Sequence, residues 1–357
     1  MLSNKSRLGK LIILALSLFL AHLRAKQVIS LEDYNDCCNS ILALTELDLE
    51  TFASGSYDGT IRIYGLQQNG LYTCKAELIG HTAAIISLAK LNNNIFISSS
   101  RDKTIRIWKK NIDGLYACKS VFHDPTDPFN TIVRLTDWIF VSYASDKTIL
   151  IWGVNQSEDF ACIKIGAEFL LMSCITAVSN LHNNGFILGD DKGSINVYKN
   201  NTHEPSRYKQ ELNYPLSKNS ICSLIHLSNG DVIASYDKTI LIFHLDESTN
   251  QYEYKGALLI NNKMPILCPV SSCPFYSSSF AVASWDEDPT IDNQWHINIF
   301  ERRYNRHYEC TGKLRGLASE ITSIIQLDNG FIVSGEIDGT ITIWQTSDLE
   351  KENTLAV

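Results

Sequence analysis

The chain has 357 residues, 45% apolar and 20% charged, an ordinary globular composition that allows a sizeable core. A net charge of −8 and the lack of a long basic run exclude a surface built for nucleic-acid phosphates. Large all-β folds reach this length as one unit, so length alone does not require two domains. In chain order, residues 1–25 come first and stand apart. Lys5, Arg7 and Lys10 precede an apolar run from Leu11 to Leu23, and Arg24 closes it. The run is short for a bilayer span but suits the core of a secretory signal. Cleavage after Ala25 would put Leu23 where a small residue is preferred. Three readings stay open: a cleaved signal, an uncleaved anchor associating with a membrane through residues 11–23, or an element of the fold. The first two predict an exported or membrane-associated protein, the third a cytoplasmic one.

From residue 26 onward one unit recurs. FASGSYDGTIRIY, Phe52 to Tyr64, is followed by FISSSRDKTIRIW, FVSYASDKTILIW, FILGDDKGSINVY, DVIASYDKTILIF, a stretched copy from Phe280 to Phe300, and IVSGEIDGTITIW. The closing aromatics Tyr64, Trp108, Trp152, Tyr198, Phe243, Phe300 and Trp344 are spaced by 44, 44, 46, 45, 57 and 44 residues. That period is the size of a four-stranded propeller blade. Each unit reads as strands. Segments such as ILAL and IISLAKL supply a first apolar strand, and the segment opening on Phe a second. Asp-Gly-Thr or Asp-Lys-Thr makes a tight turn, because Asp caps its own backbone and Gly accepts positive φ. Alternation in TIRIW gives the third strand, and YTCKAEL, YACKSV and YECTGKL the fourth. Val28 and Ser30 alternate with Ile29 and Leu31 ahead of the first unit, a strand-like pattern favoured as the strand that closes the ring, with the 13 residues after Trp344 as the alternative source of a weak fourth strand.

These residues resemble the WD-repeat family, and the resemblance spans about residues 26–345. It implies an all-β, seven-bladed β-propeller of four-stranded antiparallel blades over residues 26–357, behind a signal-like or anchor segment at 1–25. The second unit matches best, with Gly80-His81, Asp102 and Trp108. In the family such a His, a strand Ser, the turn Asp and the Trp form a hydrogen-bonded network inside one blade. Here Ser98 or Ser100 would supply the hydroxyl. The departures are that Gly-His occurs once, no Asp follows any closing Trp, and Lys192 stands where the fourth unit should have its turn Asp. Incomplete networks predict less rigid fourth and sixth blades.

No nucleophile elbow, zinc-protease helix or phosphate loop occurs in the chain, no cofactor is implied, and no enzyme is read from it. The acidic cluster Asp286, Glu287, Asp288 and Asp292 has carboxylates suited to a hard cation, but its spacing matches no EF-hand, and no metal site is assigned. Cys74, Cys118, Cys162 and Cys310 each follow an aromatic by two residues, a repeat position that predicts structural thiols packing as small hydrophobes. Function is therefore sought in loops. The resemblance implies that the residue before each turn Asp faces the top surface: Tyr57, Arg101, Ser145, Asp191, Tyr236, Trp285 and Ile337. Aromatics and Arg are the residues that dominate interfaces. The stretched unit adds a loop from Asp286 to Trp295. The predicted partner-binding set is Tyr57, Arg101, Tyr236, Trp285, Asp286 and Trp295, on a scaffold that docks a protein or peptide. The alternative is an exported or membrane-anchored propeller with an envelope or host partner. Oligomeric state is not legible in the sequence.

Overall fold

A strand pattern with one apolar face per unit cannot bury itself, so each unit must pack on its neighbours. The computed structural model shows this arrangement closed into a ring. It describes residues 27–29, 40–123, 129–144, 148–154, 162–164, 169–170, 174–181, 185–200, 208–215, 219–246, 251–260, 267–270, 279–285, 295–303, 307–317 and 319–345. Blade 1 comprises Ile41–Asp48, Thr51–Ser56, Ile61–Leu66 and Tyr72–Leu78, and blade 2 Ile85–Asn92, Ile95–Ser100, Thr104–Lys110 and Tyr116–His123. Blade 3 comprises Phe129–Arg134, Ile139–Ala144, Thr148–Val154 and Cys162–Lys164, with Phe169–Leu170 also paired to its third strand. Blade 4 comprises Ile175–Asn180, Phe186–Asp190, Ser194–Asn200 and Tyr208–Pro215, and blade 5 Ser223–His226, Val232–Tyr236, Thr239–Asp246 and Gln251–Leu259. Blade 6 comprises Leu267–Val270, Ser279–Trp285, Trp295–Arg302 and Tyr308–Leu317. Blade 7 takes Ile321–Gln326, Ile332–Glu336 and Ile341–Trp344 from the C-terminal end, and its outer strand is Gln27–Ile29.

All pairings are antiparallel, and the closing aromatics occupy equivalent registers: Phe52↔Tyr64, Phe96↔Trp108, Phe140↔Trp152, Phe186↔Tyr198, Val232↔Phe243, Phe280↔Phe300 and Ile332↔Trp344. Buried apolar side chains form a cluster at every blade boundary. One joins Ile61 and Leu78 of blade 1 to Ile85 and Trp108 of blade 2, and another joins Ile341 of blade 7 to Ile41 of blade 1. Close approach matters there: a Cβ on Gly335 would stand 2.4 Å from the Ile41 side chain.

The N-terminal strand closes the ring as predicted, with Gln27↔Ile343, Val28↔Thr342 and Ile29↔Ile341. The Gln27 side chain adds two bonds to the neighbouring blade, donating to the Tyr72 carbonyl at 2.6 Å and accepting from the Tyr72 amide at 2.7 Å. Residues 1–25 lie outside the described set, so the three readings of that segment stand as they were. Among the described residues, no helix is long and apolar enough to cross a membrane.

Candidate functional site

The turn between second and third strands sets the top of each blade. In four blades it closes alike: the amides of Gly59, Lys103, Gly193 and Gly339 donate to the carbonyls of Ser56, Ser100, Asp190 and Glu336 at 3.1–3.2 Å. The residue before the turn is fixed as well. The amides of Tyr57, Arg101, Asp191 and Ile337 donate to the carbonyls of Ser40, Ala84, Cys174 and Glu320, all just ahead of an inner strand. Two loop systems are thereby stitched into one face.

Beneath that face, blade 2 holds the predicted network. His81 Nδ1 lies 2.8 Å from Asp102 Oδ2, and its Nε2 lies 2.7 Å from Ser98 Oγ. Trp108 Nε1 donates to the same Ser98 Oγ at 2.8 Å. Ser98 is thus the network serine. Ser100 instead donates to the Ala83 carbonyl and receives the Asp102 amide. Burial pushes the His81 pKa down against the pull of Asp102. Burial opposes ionisation of Asp102 too, but bonds from Thr104, His81 and the Thr82 amide outweigh it and hold the carboxyl below its usual range.

Other blades carry different polar contacts, which the sequence pattern did not reveal. In blade 4 the turn Asp is missing, and Asp190, two positions earlier, accepts the amides of Lys192 at 3.0 Å and Ser194 at 2.7 Å. In blade 7 the buried Glu336 accepts the Thr342 hydroxyl at 2.6 Å and the Ser319 amide at 3.3 Å. In blade 1 the Arg62 guanidinium is buried between Asp58 at 3.1 Å and Glu77 at 2.9 Å. In blade 6 the Asn298 amide donates to Ser284 at 3.0 Å.

Three of the four repeated cysteines lie opposite the closing aromatics. Cys74, Cys118 and Cys310 pair with Tyr64, Trp108 and Phe300 beside a register shift, and each thiol donates to the carbonyl two residues on. Cys118 and Cys310 pack on apolar clusters, whereas Cys74 is exposed and Cys162 pairs with Val154 instead. The outer edge of blade 1 leaves the first uncovered, and the pairing of blade 3 is offset from the others.

A family model described as WD domain, G-beta repeat matches residues 26–65, 72–109 and 308–345. Each match takes an outer strand and the three inner strands of the following blade, as the topology here requires. At these three places the chain is similar to WD repeats, and its fold is a seven-bladed β-propeller. No curated protein matches it. WD-repeat propellers generally serve as scaffolds for protein interactions and are typically not enzymes.

On the top face of this ring, Ile337, Tyr57 and Arg101 stand on the successive blades 7, 1 and 2. Ser40 links the first two: its hydroxyl donates to the Ile337 carbonyl at 2.5 Å, and its carbonyl accepts the Tyr57 amide at 2.9 Å. Tyr57 is 44% and Ile337 45% exposed. The exposed Arg101 places its guanidinium 5.6 Å from the centroid of the Tyr57 ring. Trp285 and Trp295 face each other across the blade 6 hairpin, edge to face, with centroids 5.2 Å apart. Asp286 lies outside the described residues, as does most of the loop that leads to Trp295. Tyr236 does not share the position of Tyr57. The blade 5 hairpin is one residue shorter, pairing Tyr236 directly with Thr239, and the half-buried ring packs against the cluster between blades 4 and 5.

Proposed function

We propose that the protein is a non-enzymatic scaffold that docks a protein or peptide on the top face of its propeller, over blades 6, 7, 1 and 2. The supporting observation is the exposed run Ile337–Tyr57–Arg101, fixed by backbone bonds and carrying an Arg–Tyr stack. Aromatic rings give contact area at small entropic cost, and a guanidinium gives directional donors. Trp285 and Trp295 extend the same chemistry to blade 6. Arg101 and Trp285 are partly exposed at turn positions, so replacing both by Ala should leave thermal stability nearly unchanged. Partner capture by this double variant, compared with wild type by quantitative mass spectrometry, should drop at least about tenfold for the main partner. Retention of that partner at wild-type affinity would overturn the top-face assignment.

A further inference from the structure

We infer that the bottom turns of blades 1 and 2 rest on a lipid bilayer, beside the point where the N-terminal segment enters the ring. Four apolar side chains project from the bottom of these blades. Leu49 is 62% exposed in the turn after the first strand of blade 1. Leu71 sits in the turn before its outer strand, and Ile112 and Leu115 occupy the equivalent turn of blade 2. Ile112 is as open as in an extended chain. The Asp48–Lys110 ion pair at 3.0 Å draws the turns of the two blades together, since Leu49 follows Asp48 and Ile112 lies two residues past Lys110. Isolated apolar residues on a surface are common, but a set of turn tips on one end of one molecule is a docking feature.

Chain direction supplies the occupant. Third strands run from top to bottom, and Gln27–Ile29 is antiparallel to the third strand of blade 7, so the chain rises into the ring from the bottom. Gln27 clasps the backbone of Tyr72, the neighbour of Leu71. The apolar run ends at Leu23, four residues before Gln27, and so reaches within about 14 Å of it. Residues 1–25 carry Lys5, Arg7, Lys10 and Arg24 with no acidic residue, suited to anionic headgroups, on a chain that is otherwise acidic. Protruding tips fit a deformable lipid interface. A folded partner would need to supply a separate pocket for each. A bilayer contacted by both features leaves the top face directed away from it.

The test uses the full chain and vesicles of phosphatidylcholine containing one fifth phosphatidylserine. The combined variant Leu49→Ser, Ile112→Ser and Leu115→Ser alters only exposed side chains and should unfold like wild type. Its vesicle partition coefficient should fall roughly tenfold or more. In parallel, Ile112→Trp should gain fluorescence quenching by brominated phosphatidylcholine over the parent chain. Ile79→Trp, exposed at the opposite end of blade 1, should gain none. Unchanged partition of the triple variant, or equal quenching at both positions, overturns the inference. Failure of the full chain to float with vesicles overturns it too, whether the N-terminal segment folds back over the turns or a protein covers them.

Discussion

Inside blade 2, the neighbours of His81 are satisfied by one protonation state. Trp108 donates to Ser98, which leaves the Ser98 hydroxyl hydrogen for His81 Nε2 and the Nδ1 hydrogen for Asp102. A second ring proton would leave Ser98 facing two donors. The unfolded imidazole titrates near about 6.5, and the native one lower. Between those values the unfolded chain binds the extra proton, so stability rises with pH across that window. Asp102 acts in the same sense further down: its depressed carboxyl contributes above the ordinary carboxylate range, and the contribution is lost as pH falls through the folded value. Urea midpoints measured from about pH 7 to pH 4 should fall, and His81→Gln should remove the part that begins near about pH 6.5. Identical slopes for the two proteins would mean that the native blade does not lower the His81 pKa. This network was legible because Gly80-His81, Asp102 and Trp108 resemble the WD-repeat pattern, which implies it. The position of Tyr236 was not. Asp231 to Phe243 has the same thirteen-residue length as the unstretched units, but pairing begins at Val232, one residue later. Asp231 instead turns to a buried cluster, accepting from Tyr308 of blade 6 at 2.6 Å and meeting His244 at 2.5 Å. Letter spacing fixes length; register is fixed by which residues can pair and what the displaced one can bond.

The tight turns are the elements on which blades differ most informatively. Gly59, Gly193 and Gly339 take φ of +84°, +76° and +88°, and blade 2 forces Lys103 to +66° at the same place. A side chain in that region costs about 1–2 kcal/mol, part of which glycine returns through its freer unfolded state. Lys103→Gly should therefore stabilise the protein by up to about 1 kcal/mol in urea unfolding, without touching the exposed face of Arg101. A loss of stability would show that the Lys103 side chain makes a contact worth more than the strain. The blade count and strand order could be read from the sequence because a two-residue alternation and a period near 44 residues leave few other folds. The substitute for the missing turn Asp of blade 4, and the added carboxylate of blade 7, could not. Asp190 and Glu336 lie at ordinary strand positions, and only the folded turn brings their carboxylates to the amides and hydroxyl they accept.

Across the whole ring, each blade interface buries its own apolar cluster, so no blade is stable by its own packing alone. Blade 7 is the place where the circle is fastened, with Gln27–Ile29 as its outer strand and Gln27 gripping blade 1. Deleting residues 1–25 should preserve a single cooperative unfolding transition. Extending the deletion through Leu31 removes the strand, its pairing and the packing of Ile29, and should cost about 2 kcal/mol or more. Equal stability of the two truncations would show that the ring does not depend on this fastening. The same feature sets a timetable during synthesis. Gln27 leaves the ribosome about three hundred residues before its partner Ile343 exists, which at about 5–20 residues per second is a wait of roughly 15–60 s. Until then the strand is an unpaired β-edge, able to pair with a neighbouring nascent chain. The last blade to be translated decides whether each polypeptide locks onto its own beginning or onto that of another.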